Sequence, residues 1–195
     1  MKTVNINPMK TLKVFALLLV LFASSCAEQN KETSSKSENT SIVEAPKQDI
    51  HEAIITDNFE VLKQHIKAGR DINKKEAMGG STPIITAITF DKTEMAKALL
   101  KADVDLSIQN NDGSTALHTA AFFGKVEMVQ MLIDANADKT IKNNFGATPR
   151  ETVLGDFEQI KPFYEMMILQ LEPMGFKLDL NEVEKARPVV AMMLQ

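Results

Sequence analysis

From about residue 47 onwards, apolar residues recur along the chain at helical spacing. Within the first such stripe the apolar positions are three or four residues apart, and three later stretches repeat the pattern. This spacing places apolar side chains on one face of an α-helix, which packs against a core. The stripes are Phe59, Leu62 and Ile66; Met95, Leu99 and Leu100; Val126, Val129, Leu132 and Ile133; and Phe157, Ile160 and Phe163. The pattern predicts four helices, each with one buried face.

The residues in front of the stripes also repeat. A position that precedes each stripe is followed by a glutamate three residues later. The pairs are Asp57 and Glu60, Asp91 and Glu94, Gly124 and Glu127, and Gly155 and Glu158. An aspartate with a glutamate at this distance is typical of a capping box at a helix N-terminus. We therefore expect a helix to begin directly after each of the four positions.

A second motif has a fixed period. Thr82, Thr115 and Thr148 are equally spaced along the chain, and a proline or alanine follows each of them. Gly69 and Asn136 lie where the second helix of a unit must end in a left-handed residue, and Asp103 takes this position in the second unit. Because one such unit cannot bury its stripe alone, the repetition predicts a stack of helical units.

The motif Thr-Ala-Leu-His-Thr-Ala at residues 115–120 resembles the Thr-Pro-Leu-His-x-Ala signature of ankyrin repeats. The period of that family, about 33 residues, is also the interval between the three threonines. The resemblance covers about residues 47–171. It implies an all-α solenoid of about four helix-turn-helix repeats with hairpin-like loops and a helical C-terminal cap. The expected divisions are repeats at about 47–79, 80–112, 113–145 and 146–171, and a cap at 172–195.

The fourth unit departs from the pattern. Its first helix is shortened by two residues, and Pro162 lies inside its second stripe, where proline is expected to kink or restart a helix. In the tail, Asn181 is expected to cap one short helix and Pro188 to open another. We expect the tail to pack over the last repeat; the alternative is a free amphipathic segment that is offered to a partner.

The N-terminus predicts export. Three lysines, the last of them Lys13, precede the apolar run 14–23 and a Ser-Ser-Cys sequence that ends at Cys26. This is the order of a secretory signal peptide, here residues 1–25, and the run is too short to span a membrane. The sequence LFASSC resembles the lipobox of bacterial lipoproteins, which implies lipidation of Cys26 and attachment to a membrane of the cell envelope, facing the periplasm. The alternative is an ordinary cleaved signal with an incidental cysteine.

Composition narrows the classes of partner. Residues 26–46 are rich in Ser, Glu, Lys, Asn and Thr, which predicts a disordered tether that reaches about 25 Å. The chain has 26 acidic and 22 basic residues, and loss of the three lysines of the signal changes its net charge from −4 to −7. A mildly acidic domain is a poor binder of nucleic acid. We expect a protein partner, a membrane contact through the lipid, and a monomer.

The histidines are not arranged for catalysis. His51 and His118 occupy the histidine column of the repeat, where the resemblance implies a hydrogen-bonding brace between neighbouring loops. They are two repeats, or roughly 20 Å, apart, too far for one metal ion. His65 lies at a position usually filled by leucine, and we expect it to be partly buried or exposed. Because the sequence has neither a nucleophile elbow nor a glycine-rich phosphate loop, it predicts no enzyme, no cofactor and no metal.

The resemblance implies that partners bind at the loop tips and on the exposed side of each first helix. The candidate residues are Met78, Phe90, Asn111, Asp112, Phe122, Phe123, Asn144 and Phe145. Phe122 and Phe145 are expected to be exposed, whereas for Phe90 and Phe123 packing between repeats is an equal alternative.

The sequence therefore predicts a membrane-tethered module that binds a protein partner in the cell envelope. One alternative is an inhibitor or immunity protein that blocks an envelope enzyme or toxin. A third hypothesis is an enzyme with a site between the last repeat and the tail 172–195, whose activity would be lost when the tail is removed.

Overall fold

The structure, a computed structural model, describes residues 46–195. The predicted signal peptide, Cys26 and all but the last residue of the predicted tether lie outside the described residues. Within 46–195 the chain is helical and has no strand, so the all-α prediction is confirmed. The helices are α1 Ile50–Ile55, α2 Phe59–Ala68, α3 Pro83–Thr89, α4 Thr93–Lys101, α5 Ala116–Phe122, α6 Val126–Asp134, α7 Phe157–Leu171 and α8 Leu180–Met193. Two 3₁₀ turns are Glu151–Val153 and Glu172–Met174.

The first six helices form three consecutive pairs that stack side by side. The first helices α1, α3 and α5 pack in one row, and the second helices α2, α4 and α6 pack in another. The core lies between the rows, where Ile54, Ile88 and Leu99 have no solvent exposure. The second and third stripes are thus packed between neighbouring units, as the repetition predicts, whereas Phe59 of the first stripe is 38% exposed.

The second helices begin one residue later than predicted, at Phe59, Thr93 and Val126. Asp57, Asp91 and Gly124 have left-handed backbone angles, with φ of 62°, 57° and 64°, so they form the turn between paired helices. A helix N-cap has an extended backbone, which excludes these residues from capping. At the start of α2 the cap is instead Asn58, whose side chain accepts a hydrogen bond from the Val61 N–H at 3.3 Å. The predicted capping boxes are therefore wrong at these turns.

The ends of the second helices agree with the prediction. Gly69, Asp103 and Asn136 follow α2, α4 and α6 with φ of 61°, 58° and 59°. Glycine, aspartate and asparagine tolerate this left-handed conformation better than other residues, so each helix ends where its sequence permits a reversal.

The fourth repeat is completed by the tail. Its first helix is reduced to the 3₁₀ turn Glu151–Val153, which packs on α5. The second-helix position is taken by α8, which packs against α6 and this 3₁₀ turn, as α6 packs against α4 and α5. The apolar stripe of α7 predicts that α7 is the second helix of the fourth repeat. This prediction is wrong, because the buried rings of α7, Phe157 and Tyr164, pack at the end of α5. The tail thus packs on the repeats as the second helix of the fourth one, and not as a cap over a repeat that is complete at residue 171.

Both late helices continue through a proline. Helix α7 includes Pro162 and α8 includes Pro188, so neither the predicted restart in α7 nor the two short tail helices are present. A proline leaves the carbonyl four residues earlier without its helical partner. Those carbonyls belong to Glu158 and Glu184, which are exposed residues at which water can solvate the oxygen. Helix α8 is capped by Asp179, two residues before the predicted Asn181.

None of the helices described over residues 46–195 combines the length and the apolar character that a membrane span requires.

Candidate functional site

The hairpin-like loops between repeats are joined at their tips by a ladder of asparagines. The Asn111 side chain donates to the Met78 carbonyl at 2.9 Å, and its backbone N–H donates to the Gly79 carbonyl at 2.9 Å. One repeat later, the Asn144 side chain donates to the Asn111 carbonyl and its N–H to the Asp112 carbonyl, both at 2.9 Å. The ladder fixes the three tips relative to one another.

The ladder gives a structural role to two residues that the sequence predicts to bind a partner. Asn111 and Asn144 lie at the tips as expected, but their side chains donate to a neighbouring loop. Gly113 shows how closely the loops approach, because a Cβ at this position would lie 2.5 Å from the Asn144 Oδ1. Its φ of 74° also favours glycine. Both asparagines therefore shape the surface that the loops present.

Each tip is also closed from within by an acceptor side chain. In the second loop, Asn110 Oδ1 accepts from the N–H groups of Asp112 and Ser114, at 3.0 and 2.8 Å. Asn143 Oδ1 does the same in the third loop for Phe145 and Ala147, at 3.0 and 3.1 Å. In both loops the asparagine side chain accepts the hydrogen bonds that a backbone carbonyl would accept in a regular turn, as in an Asx turn.

The first loop is one residue longer and uses a longer side chain. The Glu76 carboxylate accepts from the N–H groups of Met78, Gly79 and Ser81, at 2.6 to 2.9 Å. Partial burial raises the pKa of the Glu76 carboxyl, but these three donors lower it, and the pKa lies below its ordinary value. Glu76 thus remains ionised and holds the first tip in the geometry that the asparagines give the others.

Two large apolar side chains project from this fixed edge. Met78 is 83% exposed and Phe145 is 81% exposed, and Asp112 is exposed on the loop between them. The exposure expected for Phe145 is confirmed. The three residues form one surface of three successive tips, which we call the tip surface.

The aromatic residues predicted on the first helices are covered by the protein's own chain. Phe123 is only 4% exposed, and its ring centroid lies 5.5 Å from that of Phe176 in the tail. Phe176 also meets the half-buried Phe90 edge-on at 6.2 Å. Phe123 is therefore not available to a partner, and it packs against the tail segment instead of between repeats alone.

Phe122 is half-buried, in contrast to the expected exposure. Its ring stacks on Tyr164 of α7 with centroids 4.4 Å apart and planes at 26°. The expectation that Phe122 is freely exposed is wrong, because α7 lies outside the repeat frame and covers it. The repeat pattern does not predict this contact, because Tyr164 does not belong to the repeated motif.

His51 and His118 brace neighbouring loops as the resemblance implies. His51 Nε2 donates to the Lys74 carbonyl at 2.8 Å, which leaves Nδ1 to accept from the Thr86 hydroxyl at 2.8 Å. His118 Nε2 donates to the Ala147 carbonyl at 3.0 Å, and its Nδ1 accepts from the backbone N–H of Thr115 at 3.2 Å. Burial lowers the pKa of His118, so this ring is neutral in the folded protein at pH 7.

His65 is more buried than expected, at 3% exposure. Its Nε2 donates to the Gln48 carbonyl at 2.9 Å, and its Nδ1 lies 3.7 Å from a carboxylate oxygen of Asp71. The expectation of a partly buried or exposed ring is wrong because Gln48, in the segment before α1, covers this side of α2.

The comparisons with known proteins agree with this geometry. The family model of ankyrin repeats matches residues 50–143 with three copies. The chain contains ankyrin repeats. The crystal structure of the ankyrin repeat domain of Bcl-3, a unique member of the IkappaB protein family, is similar to this chain, with 29% identity and a TM-score of 0.51. That match covers 53% of this chain and 45% of the Bcl-3 chain, so the chain spans less than half the length of that domain. No curated protein sequence matches the present chain.

Ankyrin repeats are typically interaction modules without catalytic activity, and a fold of this kind supports a protein–protein role. The residues that the structure describes contain no group of three His, Cys, Asp or Glu side chains placed to hold a metal ion.

One cleft lies where the predicted alternative enzyme would have its site. It has a volume of about 450 Å³ and separates the α5–α6 turn from the tail. Its polar lining consists of Asp91, Lys125, Lys177, Asp179 and Glu182. Lys125 and Asp91 already form an ion pair at 2.9 Å. The lining residues that the structure describes include no histidine, serine or cysteine, so they form no Ser–His or Cys–His pair.

Proposed function

We propose that the protein is a membrane-tethered ankyrin-repeat module that binds a protein partner in the cell envelope through its tip surface. The observation that carries the proposal is the exposure of Met78 and Phe145 on loops that the asparagine ladder holds in place. Large apolar side chains presented by a rigid scaffold lose little conformational freedom on binding, and such residues are frequent interface hot spots.

The tip surface, and not the first-helix surface, is the better candidate for this contact. Phe90, Phe122 and Phe123 are committed to contacts with α7 and the tail, whereas Met78 and Phe145 remain open. Between them, Asp112 offers a carboxylate that favours a partner with a basic or hydroxyl group at the matching position.

The test compares capture of partners from envelope extracts. The bait is the full chain, as wild type, as the double variant Met78→Ser/Phe145→Ser, and as the control Met192→Ser. Met192 is an exposed apolar residue of α8 outside the tip surface. The proposal expects a partner that wild type and the control retain and the double variant loses. Capture of the same proteins by all three baits in equal amounts contradicts it.

The tether rests on the lipobox-like sequence at Cys26 and has a separate test. The expected result is that wild-type protein sediments with membranes, whereas Cys26→Ser remains in the soluble fraction because the acyl chains are not attached. Retention of Cys26→Ser with membranes would remove lipidation from the proposal without affecting the tip surface.

A further inference from the structure

Helix α7 is an insertion into the repeat stack. It lies between the first element of the fourth repeat and α8, which takes the second-helix position. Its inward face is anchored by Phe157 and Tyr164, both buried in the aromatic cluster at the ends of α3 and α5. The helix therefore covers the stack from outside the repeat order, and its opposite face points away from the stack.

That opposite face is apolar. Met166 is 45% exposed and Leu169 is 74% exposed, three residues apart on one side of the helix. Phe163 is also 45% exposed, but its ring meets Phe122 edge-on with centroids 5.9 Å apart, so it lies at the border of this face. Met174 in the following 3₁₀ turn is also exposed. Exposed apolar residues that form a contiguous stripe, and are not scattered singly, mark an interaction site.

An acidic edge borders this stripe. Glu158, Glu165 and Glu172 are exposed and seven residues apart, a spacing that keeps side chains on nearly the same edge of a helix. Lys161, the one cation in the segment 157–174, lies 3.7 Å from Glu158 and offsets part of that charge. Glu165 and Glu172 remain as an anionic border of the apolar face.

We propose that the outer face of α7 docks a basic amphipathic helix of a partner protein. The apolar side of that helix packs on Met166, Leu169 and the exposed part of Phe163, and its lysines or arginines lie against the acidic edge. An apolar stripe with a charged border is the arrangement by which one helix recognises another of opposite charge. This surface is separate from the tip surface, so the two proposals stand or fail independently.

Charge argues against an antiparallel second copy and against an anionic bilayer on this face. A second copy that pairs antiparallel about a two-fold axis through Met166 would bring its acidic edge beside the first, with Glu165 near Glu165 of the other copy. A bilayer surface that carries anionic lipids would repel the same edge. A basic helix is the occupant that satisfies both the apolar stripe and its border.

The probe is a synthetic leucine–lysine peptide of about 18 residues, which gives about five helical turns and covers the 15 residues of α7. Its binding to the full chain is measured by fluorescence anisotropy, beside a leucine–glutamate peptide of the same pattern. We expect the basic peptide to bind at least about tenfold more tightly than the acidic one.

Four variants locate the contact. Leu169→Gln and Glu165→Lys change exposed groups of the proposed face, and each is expected to weaken basic-peptide binding by about tenfold or more. Glu52→Lys, the same charge change on the exposed side of α1, is expected to leave binding unchanged, as is Met78→Ser/Phe145→Ser. Circular dichroism is the check that all four variants keep the helix content of wild type.

Three results would overturn the proposal. The first is equal binding of the basic peptide to wild type, Leu169→Gln and Glu165→Lys. The second is no peptide binding together with a concentration-dependent dimer that Leu169→Gln abolishes, which assigns the face to a second copy. The third is no peptide binding together with sedimentation on phosphatidylcholine–phosphatidylglycerol vesicles that Leu169→Gln abolishes, which assigns the face to lipid.

Discussion

The phenol oxygen of Tyr164 donates a hydrogen bond to the carbonyl of Phe122 at 2.6 Å, and the two rings stack. This carbonyl lies in the last turn of α5, where a helix leaves its carbonyls without intrahelical partners. Burial raises the pKa of Tyr164 to about 12, so the phenol keeps the proton that it donates. Tyr164 thus packs α7 against the repeats and also supplies a hydrogen-bond donor to the last carbonyl of α5.

Substitution of Tyr164 separates these two contributions. Tyr164→Phe keeps the ring and loses the hydrogen bond, so it is expected to lower the free energy of unfolding by about 1 kcal/mol. Tyr164→Ala also removes the buried ring and is expected to cost about 3 to 5 kcal/mol. Urea denaturation followed by circular dichroism measures both. Equal losses for the two variants would show that ring packing against Phe122 contributes little.

Gly124 is expected to be required by α8. A Cβ at this position would lie 3.0 Å from the Cβ of Ala186 and 3.2 Å from the Cα of Val183. Gly69 has nearly the same φ, 61° against 64°, but nothing lies within 4 Å of its Cβ position, which makes it a matched control. Gly69→Ala is expected to cost about 1 kcal/mol from the left-handed backbone alone.

Gly124→Ala carries the same backbone penalty and adds the displacement of α8, so a further loss of about 1 to 3 kcal/mol is expected. Denaturation of both variants beside wild type gives the difference. If the two glycines cost the same to replace, then α8 does not pack tightly on the α5–α6 turn.

The repeat frame could be predicted because its signals are local. The left-handed ends at Gly69 and Asn136, the histidine brace at His118 and the equal spacing of the threonines each depend on residues within one or two units. The exposure of Phe145 follows from the same frame, since it lies at the tip of a loop of known length.

The order of the last helices could not be predicted in this way. Both α7 and α8 have apolar residues at helical spacing, and periodicity does not say which of them packs on α6. The choice depends on contacts between distant residues, such as Phe176 with Phe123 and Val183 with Gly124. For the same reason the covering of Phe122 and Phe123 lies beyond what the repeat pattern alone indicates.

The asparagine ladder is expected to control the tip surface. Asn144→Ala removes the hydrogen bond to the Asn111 carbonyl and is expected to cost about 0.5 to 1.5 kcal/mol. Amide hydrogen exchange is expected to speed up at Phe145, because its loop loses a connection to the second tip. The exposed neighbour Asp112→Ala is the control and is expected to change neither quantity. Unchanged exchange in Asn144→Ala would show that backbone hydrogen bonds alone hold the tips.

The stability of the protein is expected to fall when the pH is lowered through the range in which histidine titrates. Burial lowers the pKa of His118 below its ordinary value of 6.5. The unfolded chain therefore takes up a proton at this residue at a higher pH than the folded protein does. Above pH 6.5 both states are neutral at His118 and the stabilisation is complete; as the pH falls from 6.5 through the folded pKa, the stabilisation is lost.

The geometry gives the reason for this sign. The ring is buried, and a proton on Nδ1 would end the hydrogen bond that Nδ1 accepts from the Thr115 N–H at 3.2 Å, leaving the Thr115 hydroxyl oxygen at 2.9 Å as its neighbour. The prediction is checked by urea denaturation of wild type and His118→Gln at several pH values between 7.5 and 5, a window above the range in which carboxyl groups with lowered pKa, such as that of Glu76, titrate. Wild type is expected to lose more stability over this window than His118→Gln. If the free energy of unfolding of the two proteins changes in parallel with pH, protonation of the buried ring costs no stability. The hydrogen bond to the Ala147 carbonyl would then also be present in the imidazolium form.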